Sequence, residues 1–169
     1  MKNKQTGFSL IELLIVLLVL GVVAVIAIPN LLAARRFANE GSAIASLRVL
    51  HQAQTSYQAT NGNGDFAGTD SAVGDIAGLT ILRNGAFIDD ALGGGTKSSY
   101  AFVGAITLRS GAIAPTFFFS ANPGIASGVT QTGARRFAMM QDGPIRFDQN
   151  NLGVAFDRTT APLAQALDN

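Results

Sequence analysis

The stretch from Phe8 to Ile28 reads FSLIELLIVLLVLGVVAVIAI and contains a single charge, Glu12. As a helix rising ~1.5 Å per residue it is ~30 Å long, the depth of a bilayer's hydrocarbon core. By length alone it is a membrane segment. The carboxylate near its start sets it apart, because a charge inside the bilayer costs on the order of 2.5–3.5 kcal/mol even on insertion scales. That cost calls for a compensating interaction.

A short polar leader, Met1 to Gly7, stands before the run with Lys2 and Lys4 as its only charges, and the join reads Gly7-Phe8-Ser9-Leu10-Ile11-Glu12. Here the sequence resembles the type IV pilins and pseudopilins, closely from Gly7 through Pro29. The resemblance implies that a prepilin peptidase cuts after Gly7 and that the new amino-terminal Phe8 is N-methylated. Thr6 stands where the family usually carries Lys or Arg. The competing reading is an ordinary secretory signal peptide, whose apolar core is roughly 7–15 residues long and ends at a small-x-small cleavage site. This run is longer, and Ala27-Ile28-Pro29 is a poor site. Lys2 and Lys4 precede the run and no basic residue follows until Arg35, which favours a cytoplasmic amino end with the bulk of the chain outside.

Glu12 has two compatible readings. Ser9-x-x-Glu12 matches a capping box, which satisfies orphan amides at a helix start, and an acid in the first turn also suits the helix dipole. The resemblance implies a second role. Cleavage frees an α-amine on Phe8, largely protonated near neutral pH, and Glu12 of a neighbouring subunit pairs with it and sets register.

The helical pattern continues beyond the apolar run. Ile44, Leu47, Leu50 and Tyr57, with Ala43 and Ala53 beside them, fall near three-and-four spacing, while Arg35, Arg36, Glu40, Arg48 and Gln52 supply polar positions. Phe8 to about Thr60 is therefore expected to form one helix on the order of 80 Å long. Gly21, with weak helix propensity, and Pro29, which removes an amide bond to the carbonyl of Val25, interrupt it. They mark either a harmless kink or, as the resemblance implies, a segment that bends or melts when the subunit leaves lipid for a filament.

Most of the nineteen glycines lie after Thr60, where a head domain is expected to begin. Asn61-Gly62-Asn63-Gly64-Asp65 starts like a calcium loop, but Phe66 takes the place of the required glycine and Ala72 that of the terminal acid. A polar surface loop is the better reading. Asp75 to Leu92 reads as short helical pieces broken at Asn84-Gly85, with Ile76, Leu79 and Leu82 on one face. Strands are expected over Tyr100–Arg109, Thr116–Ala121, Arg136–Gln141 and Pro144–Phe147, the last two joined by the hairpin signal Asp142-Gly143. Val154–Phe156 is a candidate for a last strand, and the tail from Thr159 for a loosely held end.

The expected fold is α+β: a long amino-terminal helix packed on a carboxy-terminal antiparallel meander, since neither buries its apolar face alone. The divisions are a leader over 1–7, a membrane or filament-core helix over 8–29, its amphipathic continuation over 30–60 and a head over 61–169. Within the head fall a connecting region over 61–98, a sheet over 99–157 and a tail over 158–169.

Chemistry is scarce. The 169 residues include no cysteine, so there is no disulfide framework and no thiol nucleophile. His51 stands alone in the helix, and no metal-ligand cluster or phosphate loop has sensible spacing. Arg135-Arg136 reads as a solvated basic turn, a weak footprint for nucleic acid, and a net charge of +1 steers no polyanion. No catalytic residue, cofactor or metal is nominated.

What the resemblance implies is a structural subunit, a prepilin held in the inner membrane by its apolar run and then polymerised into an extracellular or periplasmic filament. Its partners would be copies of itself, the prepilin peptidase, an inner-membrane assembly platform and, before assembly, the lipid bilayer. A minor pilin or type II secretion pseudopilin is the alternative within the class, and a monomeric membrane-anchored binding protein or enzyme the alternative outside it.

Overall fold

The computed structural model describes residues 8–167. The chain forms two compact units with their boundary between Arg35 and Arg36. A single helix, α1 (Leu10–Thr60), supplies the described secondary structure of the first unit and the opening element of the second.

In the second unit the amphipathic half of α1 buries Ala43, Leu47, Leu50 and Ala53 completely or nearly so, while Ile44 and Tyr57 are half-buried. A fully buried leucine stabilises by roughly 1.5–3 kcal/mol, so this stripe is the seam of the core. Gln54 is also fully buried, which the hydrophobic pattern does not announce. Its amide behaves as a strand partner, donating to the Ala67 carbonyl at 2.6 Å and accepting from the Ala67 amide at 2.8 Å. Two short helices follow, α2 (Ala77–Asn84) and α3 (Asp90–Gly93). Gly85 closes the first, as expected, and the Asp89 carboxylate caps the second by accepting from the Leu92 amide. Leu79 and Leu82 are buried, but Ile76 is half exposed and does not share their role.

The sheet is an antiparallel meander in chain order: β1 (Thr96–Lys97), β2 (Tyr100–Thr107), β3 (Thr116–Pro123), β4 (Arg136–Met140), β5 (Ile145–Asp148) and β6 (Gln165–Ala166). Phe102, Phe117, Phe119, Ala121, Phe137 and Met139 join the helical leucines in one core. Gly104 lies opposite Phe119, and a Cβ there would come 2.3 Å from that ring, so the aromatic needs a glycine across from it.

Four expectations are corrected. Val154–Phe156 is not a strand. It crosses the sheet's second face, held by side chains of β3: the Ser120 hydroxyl accepts from the Phe156 amide at 3.0 Å, and the Asn122 amide donates to the Val154 carbonyl. The tail is not loose either. Ala161 is fully buried against Ala138 and Phe156, a 3₁₀ turn spans Ala161–Leu163, and β6 pairs with β5. Both faces of β3 are thereby covered, in keeping with its unbroken run Phe117-Phe118-Phe119, all three of which are buried. Glu40 is not a surface residue but 2% exposed, because Arg135 and the Ala134 amide reach its carboxylate. Arg135-Arg136 is correspondingly no solvated turn: Arg136 is buried in β4, paired with Asp148 at 2.7 Å and stacked over the Phe156 ring.

β1 and its hairpin were not expected. The turn joining β1 to β2 consists of Ser98 and Ser99, both at positive φ (48° and 60°), conformations normally signalled by Asn-Gly.

Candidate functional site

Gly7 and the leader lie outside the described residues. Ser9 stands at the helix start, its carbonyl accepting the Leu13 amide at 3.2 Å, and Glu12 falls in the first turn of α1, where an acid complements the dipole. Phe8 is 80% exposed. The run behind it keeps its apolar side chains open: Leu13, Leu17, Val23 and Ile28 are each more than half exposed. A side chain so placed loses roughly 1.5–3 kcal/mol of available burial, and a whole helix of them requires an apolar medium or other copies of itself.

At Gly21 no neighbouring atom lies within reach of an added Cβ, so packing within the chain does not demand glycine there. Pro29 sits inside α1 without ending it. The Asn30 side-chain amide donates to the Ile26 carbonyl at 3.0 Å, one turn back, in the neighbourhood where Pro29 leaves the amide ladder short of a donor. Gly21 and Pro29 thus fall on one helical segment with Phe8 and Glu12 at its start. No described contact brings these four side chains together.

In the second unit the other candidates have structural employment. His51 is half-buried, with its ring 5.5 Å from that of Phe117 and Nε2 3.4 Å from the Gln141 carbonyl. The loop Asn61–Asp65 is tied to the β2–β3 hairpin, since Arg109 donates from its guanidinium to the Gly64 carbonyl and from its amide to the Asp65 carboxylate. Among the described residues no group of three or more His, Cys, Asp or Glu is placed to hold a metal ion.

A cleft of about 520 Å³ opens where β4 and β5 meet the carboxy-terminal segment, lined by Arg136, Asp148, Asn150, Phe156 and Gln165 among others. Its two charges neutralise each other. The Asn150 amide, then the Arg136 guanidinium, hold the Asp148 carboxyl below its ordinary range, so it is a poor general base near neutral pH. The arrangement braces the sheet rather than preparing a reaction.

Sequence reasoning missed the network around Glu40. The Tyr100 hydroxyl donates to the Arg135 carbonyl at 2.7 Å, and burial followed by the Glu40 charge pushes the Tyr100 pKa up. The one available signal was an acid placed on the buried side of an amphipathic helix.

The model of the prokaryotic N-terminal methylation motif matches residues 2–28. The type IV wide pilus major component PilA4 of Thermus thermophilus is 46% identical over 61 residues, 36% of this chain and 46% of that protein. The type II secretion system core protein G of Aeromonas hydrophila is 32% identical over 60 residues, 36% of this chain and 42% of that protein. Its counterpart in Vibrio cholerae is 36% identical over 59 residues, 35% of this chain and 40% of that protein. The chain thus spans less than half the length of these curated relatives. No solved structure matches it. An exposed apolar helix with an acid in its first turn, a methylation motif that runs onto that helix, and relatives drawn from both pili and type II secretion make the chain similar, over about a third of its length, to the type IV pilins and the type II secretion pseudopilins.

Proposed function

We propose that the chain is the precursor of a filament subunit: a prepilin cut after Gly7 by a prepilin peptidase, N-methylated on Phe8 and assembled into a type IV pilus. The observation that carries this reading is the apolar half of α1, exposed along its length with one acid in its first turn. Such a helix is stable in lipid as a monomer and in a bundle of copies as a polymer, and passage between the two needs no new fold.

In this reading residues 8–29 form the filament core, residues 30–60 continue the helix and residues 61–169 present the surface. Glu12 of one subunit neutralises the Phe8 amine of a neighbour, relieving two desolvated charges at one axial stagger. Gly21 and Pro29 supply the give in the helix. Before assembly the subunit lies in the inner membrane with its amino end cytoplasmic and its head outside. An inner-membrane platform would feed it into the filament.

The higher identity to the pilus component than to the secretion proteins favours a pilus. A minor pilin or a type II secretion pseudopilin is the second reading, supported by the secretion relatives themselves.

The test is the amino-terminal residue and mass of the protein from hosts with and without prepilin peptidase. The expected result is methylated Phe8 in the first host and retention of Met1–Gly7 in the second. A leader retained in both, or a cut near Ala27, overturns the filament reading. Abundance in sheared surface filaments then separates a major pilin from the second reading.

A further inference from the structure

We propose that the loop between β3 and β4, together with the first turn of α1 in the head unit, is a membrane-resting surface that docks the unassembled subunit's head onto anionic lipid headgroups. The inference rests on the anchoring of residues 8–29 in a bilayer.

Four side chains carry it. Phe37 is 68% exposed and Val129 74%, with Ile125 nearly half exposed. The backbone that bears the last two is braced rather than slack. The Asn39 side-chain amide donates to the Thr132 carbonyl at 2.9 Å, the Thr132 hydroxyl accepts from the Ile125 amide at 3.1 Å, and the Arg36 guanidinium donates to the Val129 carbonyl at 3.4 Å. Exposed apolar residues held on a fixed arch are a binding surface rather than a frayed loop.

Charge selects the partner. From Gly124 to Ala134 the loop has no ionisable side chain. Among the described residues Arg36 has no carboxylate within ion-pair distance, whereas Arg135, Arg136, Arg146 and Arg158 each have one. Glu40, the next acid along α1 after Glu12, is buried and neutralised by Arg135. The surface is therefore apolar and cationic together, the combination that an anionic interface binds.

Position in the sequence supplies the rest. About 20 apolar residues cross the hydrocarbon core, and the headgroup layer adds several ångströms on either side. Arg35 and Arg36 are the first charges after Glu12 and Phe37 follows them directly, so this turn leaves the bilayer at headgroup depth.

The natural chain has no cysteine, so a single introduced thiol is unique. The full chain carrying V129C, and separately I113C, is labelled with a polarity-sensitive fluorophore and reconstituted into vesicles of phosphatidylcholine and phosphatidylglycerol containing a lipid-borne quencher. Ile113 is 66% exposed, at the tip of the β2–β3 hairpin, and serves as the matched control. The expected result is a blue shift and loss of most emission for the label at 129, neither for the label at 113, and a weaker effect at 129 when R36Q is added. Equal aqueous emission from both labels on a chain that floats with the vesicles overturns the inference and leaves the anchoring reading standing. A chain that does not float overturns both. A shift at 129 that vanishes on dilution into empty vesicles assigns the surface to a second copy and also overturns it.

Discussion

The Glu40 carboxylate, on α1, meets the Arg135 guanidinium, just before β4, at 2.7 Å, and its other oxygen accepts the Ala134 amide at 2.7 Å. Residues far apart in sequence are thus joined by a charge that is 3% exposed on the acid's side and 28% exposed on the base's. The asymmetry has a consequence for stability. Removing the arginine strands a buried carboxylate, which is expected to cost about 3–5 kcal/mol, whereas removing the acid leaves an arginine able to turn toward water. Arg135→Ala should therefore lower the urea midpoint of the head more than Glu40→Ala. Equal losses in the two variants would show that burial of the acid is not the source.

Gly133 lies so close to Tyr100 that a Cβ there would fall 1.9 Å from the phenol oxygen. Gly133→Ala must expel the ring or break its bond to the Arg135 carbonyl. A loss of about 2–4 kcal/mol is expected, in the range of core overpacking combined with an unsatisfied buried group. Thermal unfolding of the purified chain reads it, and an unchanged midpoint would mean that the loop before β4 yields freely.

Ser99 holds φ at 60° in a two-residue hairpin turn, a conformation that L residues enter at a cost of ~1–2 kcal/mol and glycine does not. Glycine gives back part of that through the unfolded chain, so Ser99→Gly is expected to stabilise by about 0.5–1 kcal/mol. A melting temperature that falls instead would show that the serine side chain contributes more than the strain it carries.

Asp157 precedes the 3₁₀ turn Ala161–Leu163, and its carboxylate accepts from the Thr159 and Thr160 hydroxyls and amides. The Thr159 hydroxyl is the largest of the influences that hold its pKa at about 2, below the ordinary 3.8. A depressed folded pKa means that this stabilisation is complete above the ordinary value and is lost as pH falls toward 2. The difference in stability between wild type and Asp157→Asn should therefore be constant near neutral pH and shrink between about pH 4 and about pH 2. A difference independent of pH would remove the carboxylate from the account.

Glutamine can keep the side-chain reach of a capping box at position 12 but not its charge. Glu12→Gln and Glu12→Ala are both expected to abolish filament assembly while leaving membrane insertion intact, as read by electron microscopy and membrane fractionation. Filaments from Glu12→Gln at wild-type abundance would reduce Glu12 to a helix cap.

Much of this molecule could be read from local pattern. The Phe8–Ile28 run, the three-and-four spacing of Ala43, Leu47 and Leu50, and the aromatic and branched residues gathered in β2 and β3 are each set by the backbone of a single element. Such signals survive in a sequence because each position answers to its own helix or strand. Gly85 after α2 and Asp142-Gly143 between β4 and β5 are equally local, as turn chemistry depends on a few adjacent dihedrals.

What escaped depends on partners distant in the chain. Gln54 looks like any polar helix residue until Ala67 meets its amide, and Glu40 reads as solvated until Arg135 arrives. Val154–Phe156 has the composition of a strand, yet Ser120 and Asn122 hold it as a strap across the second face of the sheet. The sequence by itself determined the apolar helix, its acid and the helix-plus-meander class, because these rest on length, spacing and adjacency. Only the tertiary structure decided which polar groups are buried, how the tail closes the second face, and which loop residues stand exposed on a braced arch. The physical reason is that burial of a polar group is favourable only when a specific distant partner satisfies it.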